Sequence, residues 1–171
     1  MKEEIINKVA NSKLKTIDLE ELYPSGKRIV FDITDWLYEG LILREKDFRD
    51  QVKNHDWEQY KNTYVALTCS SDAIIPSWAY LLLTTALNPF AKKITVGDLV
   101  LLETVIFQEI INNLDVSEYE NLPVIIKGCA NKPIPQSAYI LLISKIQSIA
   151  RSIMFGEACS TVPLYKKNKS T

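Results

Sequence analysis

The stretch "TCSSDAIIPSWAYLLL" (Thr68–Leu83) decides the fold, because the chain writes it a second time as "KGCANKPIPQSAYILL" (Lys127–Leu142). Each phrase has a cysteine after an apolar run, a short polar loop, a proline, and then Ala-Tyr and leucines. At a shift of 59 positions, Ile75, Pro76, Ala79, Tyr80, Leu82 and Leu83 meet Ile134, Pro135, Ala138, Tyr139, Leu141 and Leu142. The register runs on without a gap through Ala91/Ala150, Lys92/Arg151, Ile94/Ile153 and Gly97/Gly156 to Asp98/Glu157. Apolar periodicity alone does not demand a matched proline, Ala-Tyr and terminal glycine. The pattern therefore predicts an internal βαβ duplication, residues 63–98 and 122–157.

Working outward, "RIVFDI" (Arg28–Ile33) and "TYVALT" (Thr63–Thr68) are β-branched and aromatic runs that read as strands. Between them, Thr34 or Asp35 offers an N-cap to a charged helical stretch ending near "REKDFRDQVK". Pro76 suits the first turn of a helix that runs to about Asn88. "KKITV" (Lys92–Val96) is a third strand, and Asp98 then caps the apolar helix "LVLLETVIFQEIINNL". "LPVIIK" (Leu122–Lys127) is a fourth strand, Pro135 opens another helix, and "RSIMF" (Arg151–Phe155) is a fifth strand closed by Gly156. Strands alternating with helices of this length predict an α/β fold, with a mostly parallel or mixed sheet and flanking helices. One domain over 1–171 is expected, with 1–26 peripheral and 165–171 a frayed tail.

Nearly half the residues are apolar and the net charge is −1, so no global field favours nucleic acid or an anionic membrane. No run is apolar and long enough to span a bilayer, and "MKEEIINKVANSK" lacks the continuous apolar core of a signal peptide. A cytoplasmic location is expected, with no nucleic-acid or membrane partner. There, three cysteines do not suggest a disulfide framework.

All three cysteines follow strands. Cys69 and Cys129 fall just past the second and fourth, and Cys159, in "GEACSTVP", past the fifth. Carboxyl ends of parallel strands share one edge, where such folds bind ligands. Helix N-termini at Pro76 and Pro135 would favour the thiolate forms of Cys69 and Cys129. Three thiolates and one carboxylate make a ligand set for Zn or an iron–sulfur cluster, sulfur to metal about 2.3 Å. Asp72 is the leading fourth ligand, with Asp32 and Asp35 as alternates. No CxxC pair accompanies them, and buried packing is the bland alternative for each thiol. Three further residues are weaker candidates. His55, the single histidine, lies in the charged and aromatic "KNHDWEQYK". Asp35 reads first as a cap. Glu103, in an apolar helix, reads first as exposed, with a buried carboxylate as the alternative. No G-x-G-x-x-G or P-loop occurs, which disfavours the common nucleotide enzymes.

The phrases "VFDITDWLYEGLILREKDFR", "NHDWEQY", "ALTCSSDAIIPSWAYLLL", "VIIKGCANKPIPQSAY" and "SIMFGEACSTVPLYKK" together resemble an uncharacterised Bacteroidetes family, domain of unknown function 2480. The resemblance runs from about Glu4 to Lys167. It implies a link to iron–sulfur cluster assembly, since the family's genes lie beside those of the sulfur-mobilisation system. It transfers no catalytic residue.

Two readings follow. One is an accessory factor for iron–sulfur biogenesis or metal and sulfur handling, with Cys69, Cys129 and Cys159 as ligands or sulfur acceptors and iron–sulfur assembly proteins as partners. The other is a non-catalytic interaction module or homodimer, with Trp36, Trp57 or Trp78 exposed for a partner. A third, weaker option is an enzyme with Cys69 or Cys129 as nucleophile and His55, Lys127 or Lys132 as base.

Overall fold

A computed structural model describes residues 13–128, 131–157 and 160–168. The strands form two sheets. The first has the order β1 (Lys15–Ile17), β5 (Pro123–Ile126), β6 (Ser152–Glu157), β7 (Ser160–Lys166). Its first three strands are parallel, and β7 runs antiparallel to β6. The second has β2 (Arg28–Asp32), β3 (Tyr64–Thr68) and β4 (Lys93–Val96), all parallel. Four helices connect the strands: α1 (Glu45–Asn54), α2 (Ser77–Leu87), α3 (Leu99–Asn113) and α4 (Gln136–Ile146). The chain is thus α/β with parallel and mixed sheets. It divides into two compact units, Pro24–Ile106 and the residues on either side of it. They are called here the inserted and the terminal unit.

Each unit has its own core. In the inserted unit Phe31, Val65 and Leu67 pack with Phe48 of α1 and with Ala79, Leu83 and Leu87 of α2. In the terminal unit Ile17, Val124 and Ile126 pack with Phe107 and Ile111 of α3 and with Ala138, Leu142 and Ile146 of α4. The spacing of the α2 and α4 residues puts them on one stripe of each helix, which is what buries it. β3 is buried along four of its five residues, as expected of a parallel strand covered on both faces.

Several local backbone features recur at a spacing of 59 residues. α2 and α4 each have eleven residues and start after Pro76 (φ −68°, ψ 145°) and Pro135 (φ −69°, ψ 145°). Asn62 and Asn121 both adopt the left-handed conformation, at φ 61° and 55°. The amide of Asn62 donates to Phe90 O (3.0 Å), and that of Asn121 to Ile149 O (2.9 Å). Gly97 (φ 137°) follows β4 and Gly156 (φ 125°) lies one residue before the end of β6, both in a conformation that L side chains rarely adopt, so β6 is not closed by Gly156 as expected. Two further pairs at this spacing lie upstream of 63–98 and 122–157. Phe48 and Phe107 are both fully buried, and Asp56 and Asp115 each accept the backbone N–H two residues on.

Three local expectations change. The stretch after β2 is not one helix. Asp32, rather than Thr34 or Asp35, caps a 3-10 turn over Ile33–Trp36, and its carboxylate accepts the Thr34 N–H at 2.9 Å. Glu39 (φ 51°) and Gly40 (φ 70°) then reverse the chain before α1 begins. The peripheral N-terminal segment supplies β1, paired parallel with β5. The segment expected to fray at 165 instead continues β7, whose Tyr165 and Lys166 face Ile153 and Ser152.

Candidate functional site: the carboxyl edge of the inserted sheet

Pairing of β2 with β3 sets Asp32 opposite Thr68. The chain leaves both strands at the same edge, so the 3-10 turn after β2 meets the loop after β3. Asp32 Oδ1 accepts the backbone N–H of Thr34 (2.9 Å) and of Ser70 (3.1 Å). Thr34 Oγ1 accepts the N–H of Ser70 (3.0 Å) and of Ser71 (3.3 Å). Thr34 Oγ1 also stands 3.2 Å from Ser70 Oγ and 3.6 Å from Cys69 Sγ, within reach of a hydroxyl hydrogen bond to either.

Cys69 is half-buried in this cradle and is in no disulfide. Its protonated thiol donates to Ser71 O (3.6 Å), and Ser71 Oγ stands 3.4 Å away. Burial pushes the thiol pKa up, but hydrogen bonds from Ser71 and Thr34 outweigh it and leave the thiol below its ordinary value, against the opposing charge of Asp32. α2, whose N-terminus was expected to favour the thiolate, begins eight residues further on. Burial likewise raises the Asp32 carboxyl, and the Ser70 and Thr34 hydrogen bonds more than reverse it, bringing it down to about 2. Tyr80, in the first turn of α2, has its phenol pushed up by burial and then by the Cys69 charge. Thr34, Ser70, Ser71 and Tyr80 were not singled out as site residues; only the repeated Ala-Tyr pointed at one of them.

A family model described as "Protein of unknown function (DUF2480)" matches residues 3–167. The chain belongs to this family. No curated protein and no solved structure matches it.

The other candidates of this DUF2480 protein are dispersed. Asp72 and Asp35 are exposed. Asp72 lines an open groove of about 570 Å³ with Leu41, Ile42, Leu43, Ala73, Ile74 and Pro76. Glu103, read first as exposed, is buried. It is paired bidentately with Arg28 (Nε–Oε1 2.6 Å, Nη2–Oε2 3.3 Å), whose Nη1 also donates to Pro24 O and Gly26 O. His55 ends α1 inside a cluster of aromatic rings. The three tryptophans are half-buried rather than exposed. Cys129 and Cys159 lie outside the described residues. Their preceding strands, β5 and β6, belong to the terminal sheet and Cys69 follows a strand of the inserted one, so the single-edge argument for grouping them has lost its premise. Among the described residues, no group of three or more His, Cys, Asp or Glu could hold a metal ion. No helix among them is long and apolar enough to cross a membrane.

The terminal sheet carries a different edge. Asp18, just past β1, accepts from Lys127 Nζ (2.6 Å) and from the Glu20 N–H (2.9 Å). Glu20 in turn accepts the backbone N–H groups of Asn131 and of Lys132. The Asp18 hydrogen bond and charge raise the Lys127 pKa, which unsuits that lysine as a general base.

Proposed function

We propose that the protein is a sulfur-handling accessory factor for iron–sulfur cluster assembly, with Cys69 as the sulfur acceptor. The observation that carries this reading is the hydrogen-bond cradle of Thr34 and Ser71, which favours the Cys69 thiolate at a partly open strand edge. The reaction it suits is attack of the Cys69 thiolate on the terminal sulfur of a donor persulfide, R–S–SH. A new Cys69 S–S bond forms, the donor S–S bond breaks, the proton stays on the transferred sulfur, and R–S⁻ leaves. An iron–sulfur assembly protein would be the donor or the recipient. The internal duplication belongs to the same proposal: two copies of one unit, of which the inserted copy carries the thiol edge. Glutathione persulfide, added to the Cys129→Ser/Cys159→Ser protein, tests it. The expected result is a mass gain of one sulfur atom, lost in Cys69→Ser. No gain, or stoichiometric Zn or Fe in anaerobically purified wild type that Cys69→Ser abolishes, would sink the acceptor role.

One observation favours the second reading, an interaction module or homodimer. Leu41, Ile42 and Ile74 are exposed (57%, 54% and 92%) around the Asp72 groove. Concentration-independent monomer behaviour by sedimentation would count against the homodimer.

A further inference from the structure

His55 is the single histidine of the chain, and four aromatic rings surround it. Its centroid lies 5.6 Å from Phe31, 5.2 Å from Trp36, 4.7 Å from Trp57 and 5.6 Å from Tyr60. Its Nε2 stands 2.9 Å from the Tyr60 hydroxyl and 3.3 Å from Gln59 Nε2. An amide nitrogen can only donate, and Gln59 is held in that orientation because its Nε2 also donates to Asp56 O (2.6 Å). In the neutral tautomer that leaves Nε2 unprotonated this atom accepts; a proton placed there would face the Gln59 amide donor and keep the Tyr60 hydroxyl alone as an acceptor. Phe31 and Trp36 bracket residues 32–34. Within that span, Asp32 and Thr34 hold the backbone of Ser70 and Ser71 beside Cys69.

We infer that His55 is a pH-sensitive latch on the Cys69 loop: neutral, it holds Phe31 and Trp36 and through them the residues that fix the loop, and protonated, it releases that hold. This adds regulation to the Cys69 site and rests on the sulfur-acceptor reading for its use. The groups that face the imidazole are Phe31 from β2, Trp36 from the 33–36 turn, Asp56 and Trp57 after α1, and Gln59 and Tyr60 from the turn at 58–60. Asp56 is the charged one. Burial lowers the His55 pKa and the Asp56 charge opposes it, with a net value below the ordinary 6.5. Tyr60, raised by burial, stays neutral across the range. The latch is thus set above the ordinary histidine value and lost as pH falls through the lowered one.

The test uses the full chain with Cys129→Ser and Cys159→Ser, alkylated by iodoacetamide from about pH 5 to 8. A lone thiol gives log rate against pH with slope one below its pKa. With His55 present the slope should exceed one below pH 6.5, bending where the single imidazole resonance titrates by NMR. Adding His55→Gln should restore slope one. A slope of one throughout with His55 present, a bend away from the imidazole midpoint, or an imidazole midpoint at or above 6.5 would overturn the latch. The His55-containing protein alone decides this if the Gln variant does not fold. Persulfide transfer is scored separately: a bend without sulfur transfer keeps the latch and removes the acceptor role.

Discussion

The two units have like residues in their cores and unlike residues at their strand ends. Phe48 and Phe107, Ala79 and Ala138, Leu83 and Leu142 fill matched, fully buried positions. Yet the position 59 residues on from Cys69 is Gly128, where a Cβ would stand 2.9 Å from the Phe155 ring. A carboxylate stands at the end of the first strand in both, Asp32 as its last residue and Asp18 just past it, but the partners diverge. Both accept backbone N–H groups, but Asp32 adds hydroxyl hydrogen bonds whereas Asp18 adds a lysine. The core is constrained by packing density, so a changed volume is felt there at once. A loop that caps strand ends needs only that its polar groups be satisfied, and more than one set of side chains does that. Sameness in these units thus reports the fold, and difference reports chemistry.

The largest effect should come where the inserted unit has an anchor of its own. Arg28→Met leaves the buried Glu103 carboxylate without its cation and should cost roughly 3–5 kcal/mol in urea unfolding. A cost under ~1 kcal/mol would mean that the pair is dispensable. Next come Leu83→Ala and Leu142→Ala, expected to lose about 3 kcal/mol each. Losses that differ several-fold would break the equivalence of the two cores. Asp32→Asn is smaller, about 1–2 kcal/mol at neutral pH. Because the folded carboxyl sits at about 2 against an ordinary 3.8, its contribution is complete above 3.8 and disappears as pH falls towards 2. A stability profile that is flat across that window in wild type relative to Asp32→Asn would refute the hydrogen bonding assigned to it.

Much of this frame was legible. Prolines 76 and 135 mark both helix starts, Asp98 does cap α3 through the Leu101 N–H (2.8 Å), and Gly97 closes β4, although β6 runs one residue past Gly156. β1 was not, because three residues, "KTI", carry no periodicity of their own and become a strand only by pairing with β5. β7 was masked by its proline and lysine, which an edge strand tolerates. Its irregular register beside Pro163 is the trace of that tolerance. Cys69 could be read as a candidate, but its cradle could not. Thr34 meets Ser70 and Ser71 only because β2 and β3 pair in one particular register, a non-local fact that no local motif encodes. The same reason hid the buried Glu103, whose partner lies 75 residues away in sequence.

The central claim is that hydrogen bonds from Thr34 and Ser71 hold Cys69 towards the thiolate. The most direct measurement is the pH midpoint of Cys69 alkylation in the Cys129→Ser/Cys159→Ser protein, with and without Thr34→Val. The account predicts a midpoint below the ordinary thiol value of 9.0, and a rate at neutral pH that drops roughly threefold to tenfold when Thr34 is replaced. A midpoint at or above 9.0, unmoved by Thr34→Val, would contradict it.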